Sequence, residues 1–173
     1  EADDIHAAIA FKLHDEFEKI INVSVDEDIA QLMRLFENIE QYSIRRKKMI
    51  TLESVNYDLF THIVKGDSGD GIPNILSNLN TLVEGIRQES VSKVKVEEWR
   101  NNGGLRNPEK FCTNSNMLER FKMNKLLIDF DEIPIELIDK IYDTYENYKI
   151  PKLRCFDYLI KNKLTKLMED FKT

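Results

Sequence analysis

Cysteine, histidine, glycine and proline are all scarce in this sequence. Its 173 residues include 2 cysteines, 3 histidines, 6 glycines, 4 prolines and a single tryptophan. Cys112 and Cys155 stand far apart, without metal-ligand spacing. That excludes a disulfide framework and a cysteine zinc site, and leaves two reduced, structural thiols as the expectation. No apolar run approaches the ~20 residues a membrane-spanning helix needs, and no basic-then-apolar leader opens the chain. A soluble, intracellular protein is therefore expected. No internal repeat or low-complexity tract is present. Nine Phe, six Tyr and regular apolar spacing argue against disorder, and the length suggests one domain or slightly more. The first residue is Glu1, followed at once by Ala-Asp-Asp and a periodic apolar stretch with no cap or linker. The expectation is that a segment upstream has been cut away.

Basic residues are outnumbered, 25 against 31 acids, for a formal charge of -6. The imbalance is local. Residues 1–70 carry 8 basic and 15 acidic side chains, residues 71–128 carry 9 and 6, and residues 129–173 carry 8 and 10. The early acids fall in tight clusters at element ends instead of spreading over helix faces. An acidic part followed by a more basic one suits a protein that binds metal with the first and a polyanion with the second.

Ile5, Ala8, Ile9, Leu13, Phe17 and Ile20 recur at helical spacing and predict an amphipathic helix over 3–20. The β-branched run at 20–25 predicts a buried strand, and helix followed by buried strand is an α/β signature. A short helix is expected over 26–36, a small hairpin over 39–51 (IEQYSIRRKKMIT), and a helix over 53–64 that stops at Gly66. Beyond it the pattern is wholly helical: 72–79, 94–101, 115–128, 135–148, 153–161 and 164–171, with Pro134 and Pro151 marking starts. Residues 101–116, rich in Asn and Gly, read as a loop.

Three acidic clusters carry the chemistry. Glu1, Asp3 and Asp4 open the first helix, Asp26 and Asp28 follow the strand, and Asp67 and Asp70 sit in KGDSGDGIPN. Acids at a helix N-terminus complement the macrodipole and cap open N–H groups, an ordinary structural role for the first two clusters. The third is different, because two glycines and a proline around paired aspartates prescribe a backbone shape as well as a charge. Ligands of α/β folds gather at the carboxyl ends of strands, where Asp26 and Asp28 lie. Seven converging carboxylates would raise one another's pKa values unless cations compensate them. Hard divalent ions, Mg²⁺ or Mn²⁺, suit such an all-oxygen site. Carboxylate sites holding two such ions serve phosphodiester chemistry.

The segments EADDIHAAIA, VSVDEDIAQL and KGDSGDGIPNI occur in the order and relative spacing of the acidic blocks of structure-specific 5′-nucleases. The chain resembles that family, which includes flap endonucleases and the 5′-nuclease domain of bacterial DNA polymerase I. RFKMNKLLIDFDEIP followed by YKIP resembles its T-even bacteriophage ribonuclease H branch. The resemblance implies an α/β fold. Residues 1–52 would be the C-terminal part of a PIN-like parallel-sheet nuclease domain. Residues 53–173 would be an all-helical region with a helix-three-turn-helix motif at about 55–79. It implies two Mg²⁺ ions, which Mn²⁺ can replace, held by Glu1, Asp3, Asp4, Asp26, Asp28, Asp67 and Asp70. Of these, Asp26, Asp3 and Glu1 would be catalytic, and Asp28, Asp67 and Asp70 would serve the second ion. The turn carrying Lys65, Gly66, Gly69, Gly71, Ile72 and Asn74 would bind the duplex backbone, offering N–H groups and a helix N-terminus to a phosphate. The implied activity is 5′-to-3′ exonuclease and flap endonuclease removal of RNA primers. Its substrates would be duplex DNA and RNA/DNA hybrid with 5′ ends or flaps, cut by a monomer in the host cytoplasm. Implied partners are a phage single-stranded-DNA-binding protein and a sliding clamp.

The family's first strand with its own aspartate, a further acidic block and a basic helical arch all precede the EADD segment and are not in this chain. The chain alone is therefore expected to be inactive and its parent active. In it Ile20, Ile21, Val23 and Val25 would lack strand partners. Two other readings use the same features, a noncatalytic duplex-DNA-binding module and a PIN-like ribonuclease. His6, His14 and His62, with no shared spacing or acidic partner, read as ordinary structural or surface residues. Arg45–Lys48 read as a solvated hairpin tip or a phosphate contact. Trp99, Tyr142, Tyr145 and Tyr148 read as core, and Asp129, Asp131 and Glu132 as helix caps.

Overall fold

A computed structural model describes residues 2–54, 57–149 and 155–170. Helix α1 (Ala2–Leu13) owes its start to Asp3 and Asp4 in the first turn and its packing to Ala7, Ala8, Ala10 and Leu13. It is shorter than the apolar spacing predicts. The Asn38 side chain donates to the carbonyls of His14 (2.6 Å) and Phe17 (2.8 Å), satisfying the chain just past the last turn, and Phe17 is half-exposed. Ile20 belongs instead to strand β1 (Ile20–Val23).

β1 pairs in parallel with β2 (Ile39–Ser43), which pairs antiparallel with β3 (Lys48–Ile50), and α2 (Ala30–Leu35) makes the crossover. The expected hairpin is therefore β2–β3. Two expectations about β1 need correction. It has a partner along one edge, and it is not buried, since Ile21, Val23 and nearby Val25 are about half exposed. An edge strand alternates, so only one of its faces meets the core.

After β3, α3 (Leu59–Lys65) starts at Asp58, whose carboxylate accepts from Thr61 N–H, and ends at Gly66. It begins later than the periodicity predicts, and residues 55–56 lie outside the described ones. The helix expected over 72–79 does not form. Asn74 Oδ1 accepts from Leu76 N–H and the Ser77 hydroxyl, its amide donates to Glu89 O, and its own N–H goes to Gln88. Those local bonds compete with a helical ladder, so the second helix of the anticipated helix-three-turn-helix is a series of turns.

Helices α4 (Lys93–Asn101) and α5 (Ser115–Ile128) follow, capped by Ser92 and Asn114, then α6 (Ile135–Asn147). The largest core joins α3, α4 and α5 through Phe60, Ile63, Trp99, Phe111, Met117 and Phe121. A smaller one joins α1, α2 and β2 to Phe130. Gln31 connects the two regions. Its amide donates to Tyr57 Oη and Ile128 O, and its oxygen accepts from Phe130 N–H. Asp129 accepts from Asp131 N–H and pairs with Lys125, which also meets Glu132, so the cap it makes belongs to a single 3₁₀ turn. Tyr145 and Tyr148 are half or more exposed, contrary to the core role their spacing suggested.

The chain forms two compact units, Glu1–Tyr142 and Asp143–Thr173. In the second, α7 (Cys155–Lys161) and α8 (Thr165–Asp170) are joined by a tight turn with Lys163 at φ 54. Among the described residues, no helix is long and apolar enough to cross a membrane.

Candidate metal centre

The parallel ladder continues one step past β1, where Ser24 N–H donates to Tyr42 O. Beyond it the chain is steered by Gln41, a buried residue of β2 whose amide donates to Ser24 O (3.1 Å) and Asp26 O (2.7 Å). Asp26 Oδ1 in turn accepts Asp28 N–H at 3.0 Å. Gln41 and Tyr42 of β2 thus fix the main chain that carries both carboxylates past the strand's carboxyl end. One carboxylate oxygen from each of Asp3, Asp26 and Asp28 lies within 4.8 Å of the other two.

Asp67 reaches the same place from the end of α3. Gly66 makes this possible at φ 68, and a Cβ there would meet Ile72 O at 2.3 Å and Pro73 O at 2.6 Å. Asp67 Oδ1 accepts from Gly69 N–H (2.7 Å) and Asp70 N–H (3.4 Å), and its carbonyl accepts from Ile72 N–H (2.7 Å). The turn therefore folds around Asp67. A second group of donors, Asp28, His62 and Asp67, also lies within 4.8 Å of one another, so Asp28 belongs to both.

Asp4 lines the same cleft as Asp3, Asp28, Asp67 and Asp70, although neither Asp4 nor Asp70 enters the two tight groups. Glu1 lies outside the described residues. Lys65 is exposed at the rim, in a hollow it shares with Asp26, Asp28 and Asp67. The expected display of open N–H groups and a helix N-terminus needs correction. The N–H groups of Gly69, Asp70, Ile72, Asn74 and Ile75 are taken by Asp67, Gln88 and Val64, no helix follows, and Asn74 is buried. Gly71, at φ 78, has open space around it.

His62 and Tyr57 are the site residues that sequence reasoning missed. His62 Nε2 lies 3.0 Å from Asp67 Oδ2 and Nδ1 lies 3.2 Å from Asp28 Oδ1, with its side chain 18% exposed. Hydrogen bonding to Asp28 raises its pKa against the opposing effect of burial, with Asp67 adding to the rise. Burial pushes the Asp67 carboxyl upward, but the bond from His62 and the N–H groups of Gly69 and Asp70 outweigh it, and the net shift is down. Tyr57 Oη lies 3.2 Å from His62 Nδ1. Burial first, then the Asp28 and Asp129 charges, drive the Tyr57 phenol far upward, so it stays protonated and able to donate. The available signal was the placement of His62 five residues before Asp67 in one turn of chain. Its second partner, Asp28, is remote in sequence.

The donor chemistry fits a hard divalent cation. Four carboxylates converge from three separate elements, and a single histidine cannot balance them all.

Residues 53–173 match the family described as T4 RNase H, C terminal. Ribonuclease H of Enterobacteria phage T4 is 34% identical over 173 residues, covering 96% of this chain and 55% of its own length. A 5′-3′ exonuclease of Buchnera aphidicola subsp. Schizaphis graminum is 32% identical over 83 residues, 43% of this chain and 28% of that protein. The chain thus spans about half the length of the T4 relative. Among solved structures, the T5 D15 protein co-crystallised with metal ions aligns with a TM-score of 0.56 and 18% identity. That alignment covers 86% of this chain and 61% of the other, and shows a shared fold.

Proposed function

The chain belongs to the T4 RNase H, C-terminal family, and on that premise we propose that it carries the carboxylate centre of a Mg²⁺-dependent 5′-nuclease. In this reading the enzyme removes RNA primers and 5′ flaps from duplex DNA during replication. Because the chain spans about half of the T4 relative, the activity is proposed for a polypeptide that joins these residues to the remainder of that length. The observation that carries the proposal is the pair of adjoining donor groups that share Asp28.

Asp3, Asp26 and Asp28 would hold one ion, with Glu1 beside Asp3 in sequence. Asp28 and Asp67, with Asp70 and Asp4 in the same cleft, would serve the other. When bound, such ions make a metal-activated water available near neutral pH and neutralise charge on the phosphodiester. The chain's own residues do the positioning. Gln41 fixes the path through Asp26, and Gly66 lets the turn fold back on α3, so the carboxylates need little rearrangement to receive cations. Parallel pairing puts the turn of the β2–β3 hairpin, which holds Arg45 to Lys47 with Lys48 opening β3, at the same end of the sheet as Asp26, and Arg46 lies 3.6 Å from Glu27. With Lys65, this tip supplies positive charge beside an acidic centre, where backbone phosphates flanking the cleaved bond would pass.

The test is cleavage of a 5′-labelled flap duplex in Mg²⁺ by the polypeptide of full relative length. Short 5′ products are expected, with Asp26→Asn and Asp28→Asn each abolishing them while flap binding persists. Binding without cleavage by the unaltered protein would favour a noncatalytic duplex-binding module. Cleavage that survives both substitutions would overturn the assignment of the site.

A further inference from the structure

We propose that a ring nitrogen of His62 enters the coordination of the cation held by Asp28 and Asp67, and that this nitrogen tilts the position from Mg²⁺ toward Mn²⁺. The inference rests on the metal-centre reading above and adds a ligand and an ion preference to it.

The geometry is that of a ligand, not of a surface histidine. His62 occupies the last turn of α3, whose Gly66 N–H donates to His62 O, so its backbone is set by the same cap that aims Asp67. The ring packs edge-on against Tyr57, with centroids 5.5 Å apart at 79°. One face of α3 therefore delivers it to the acids in a single orientation. Only one ring nitrogen can face an ion: with Nε2 in that role, its 3.0 Å contact to Asp67 Oδ2 is close to the ~3 Å edge of an octahedron with bonds of about 2.1 Å, and one donor atom from each of Asp28, His62 and Asp67 lies within 4.8 Å of the other two. Whichever nitrogen takes the ion, the other is held by an aspartate, the arrangement that fixes the tautomer of metal-bound histidines. Every other candidate donor in the cleft is a carboxylate oxygen. Mg²⁺ is served by oxygen and water, whereas imidazole suits the first-row transition ions, of which Mn²⁺ also accepts carboxylates readily.

Mn²⁺ itself is the probe. The 173-residue chain is titrated with Mn²⁺ by electron paramagnetic resonance, with Mg²⁺ as competitor, and the bound ion is examined for ¹⁴N coupling by spin-echo modulation. Nitrogen coupling is expected in the wild-type chain and should vanish in His62→Asn. That substitution should weaken Mn²⁺ binding by about 10-fold or more and leave Mg²⁺ binding unchanged or stronger. The coupling is read on the wild-type chain, so the test does not depend on a variant folding. His62→Gln repeats the comparison, and His6→Asn should leave the coupling in place. Mn²⁺ bound without nitrogen coupling, yet lost in Asp28→Asn, would overturn the role of His62 and leave the carboxylate site standing. No Mn²⁺ binding, or binding that Asp28→Asn does not change, would overturn the metal centre and this inference with it.

Discussion

Asn124 is wholly buried on α5 and ties the metal-bearing turn to the helical core, so its loss should be felt at both. Its amide donates to Ile63 O and to Pro73 O, each at 2.9 Å. The first is one of the open carbonyls at the end of α3, and the second lies just after the aspartate turn. Asn124→Ala removes two hydrogen bonds of ~1 kcal/mol each and strands two buried carbonyls at up to ~1–3 kcal/mol, a gross loss that partial relaxation reduces. Asn124 Oδ1 is itself buried without a partner among the described residues, and its removal offsets part of the loss. The expected net destabilisation is ~2–4 kcal/mol. Urea unfolding followed through buried Trp99 measures it, and Mn²⁺ binding should weaken as Asp67 and Asp70 lose their anchor. Asn124→Leu separates causes, because leucine restores volume but not donors. A loss below about 0.5 kcal/mol in the alanine variant, or full recovery with leucine, would refute the hydrogen-bonding account in favour of cavity formation.

Two further outcomes follow from the same elements. Gly66→Ala should destabilise by ~2–4 kcal/mol, combining a strained backbone with contact against Ile72 O and Pro73 O, whereas Gly71→Ala, in open space, should cost only ~1 kcal/mol. Equal effects in thermal melts would contradict the close-approach argument. Burial pushes the Asp58 carboxyl upward, but Arg100 and the Thr61 N–H more than offset it, and the folded value falls below the ordinary 3.8. Its contribution to stability is present above 3.8 and is lost as pH falls through the depressed folded value. Unfolding between pH 5 and 2 should show a steeper acid loss for the wild type than for Asp58→Asn, and parallel curves would refute it.

The helices that the sequence alone determined are those with local causes. α4 and α5 carry Ser92 and Asn114 as N-caps ahead of apolar positions at helical spacing, and both form where the pattern places them. The acid clusters were equally legible, because each pair of carboxylates lies within a few residues of chain and at an element end. Tertiary structure decided the rest. α1 stops at Leu13 because Asn38, remote in sequence, satisfies the carbonyls beyond it. The 72–79 segment forsakes its helical periodicity because Asn74, Gln88 and Asn124 bind its backbone instead. β1 runs along a sheet edge, so its β-branched run is half solvated. For His62 the sequence offered only its nearness to Asp67: hydrogen bonds act over about 3 Å in space, and only folding brings the end of α3 to Asp28 in the loop after β1.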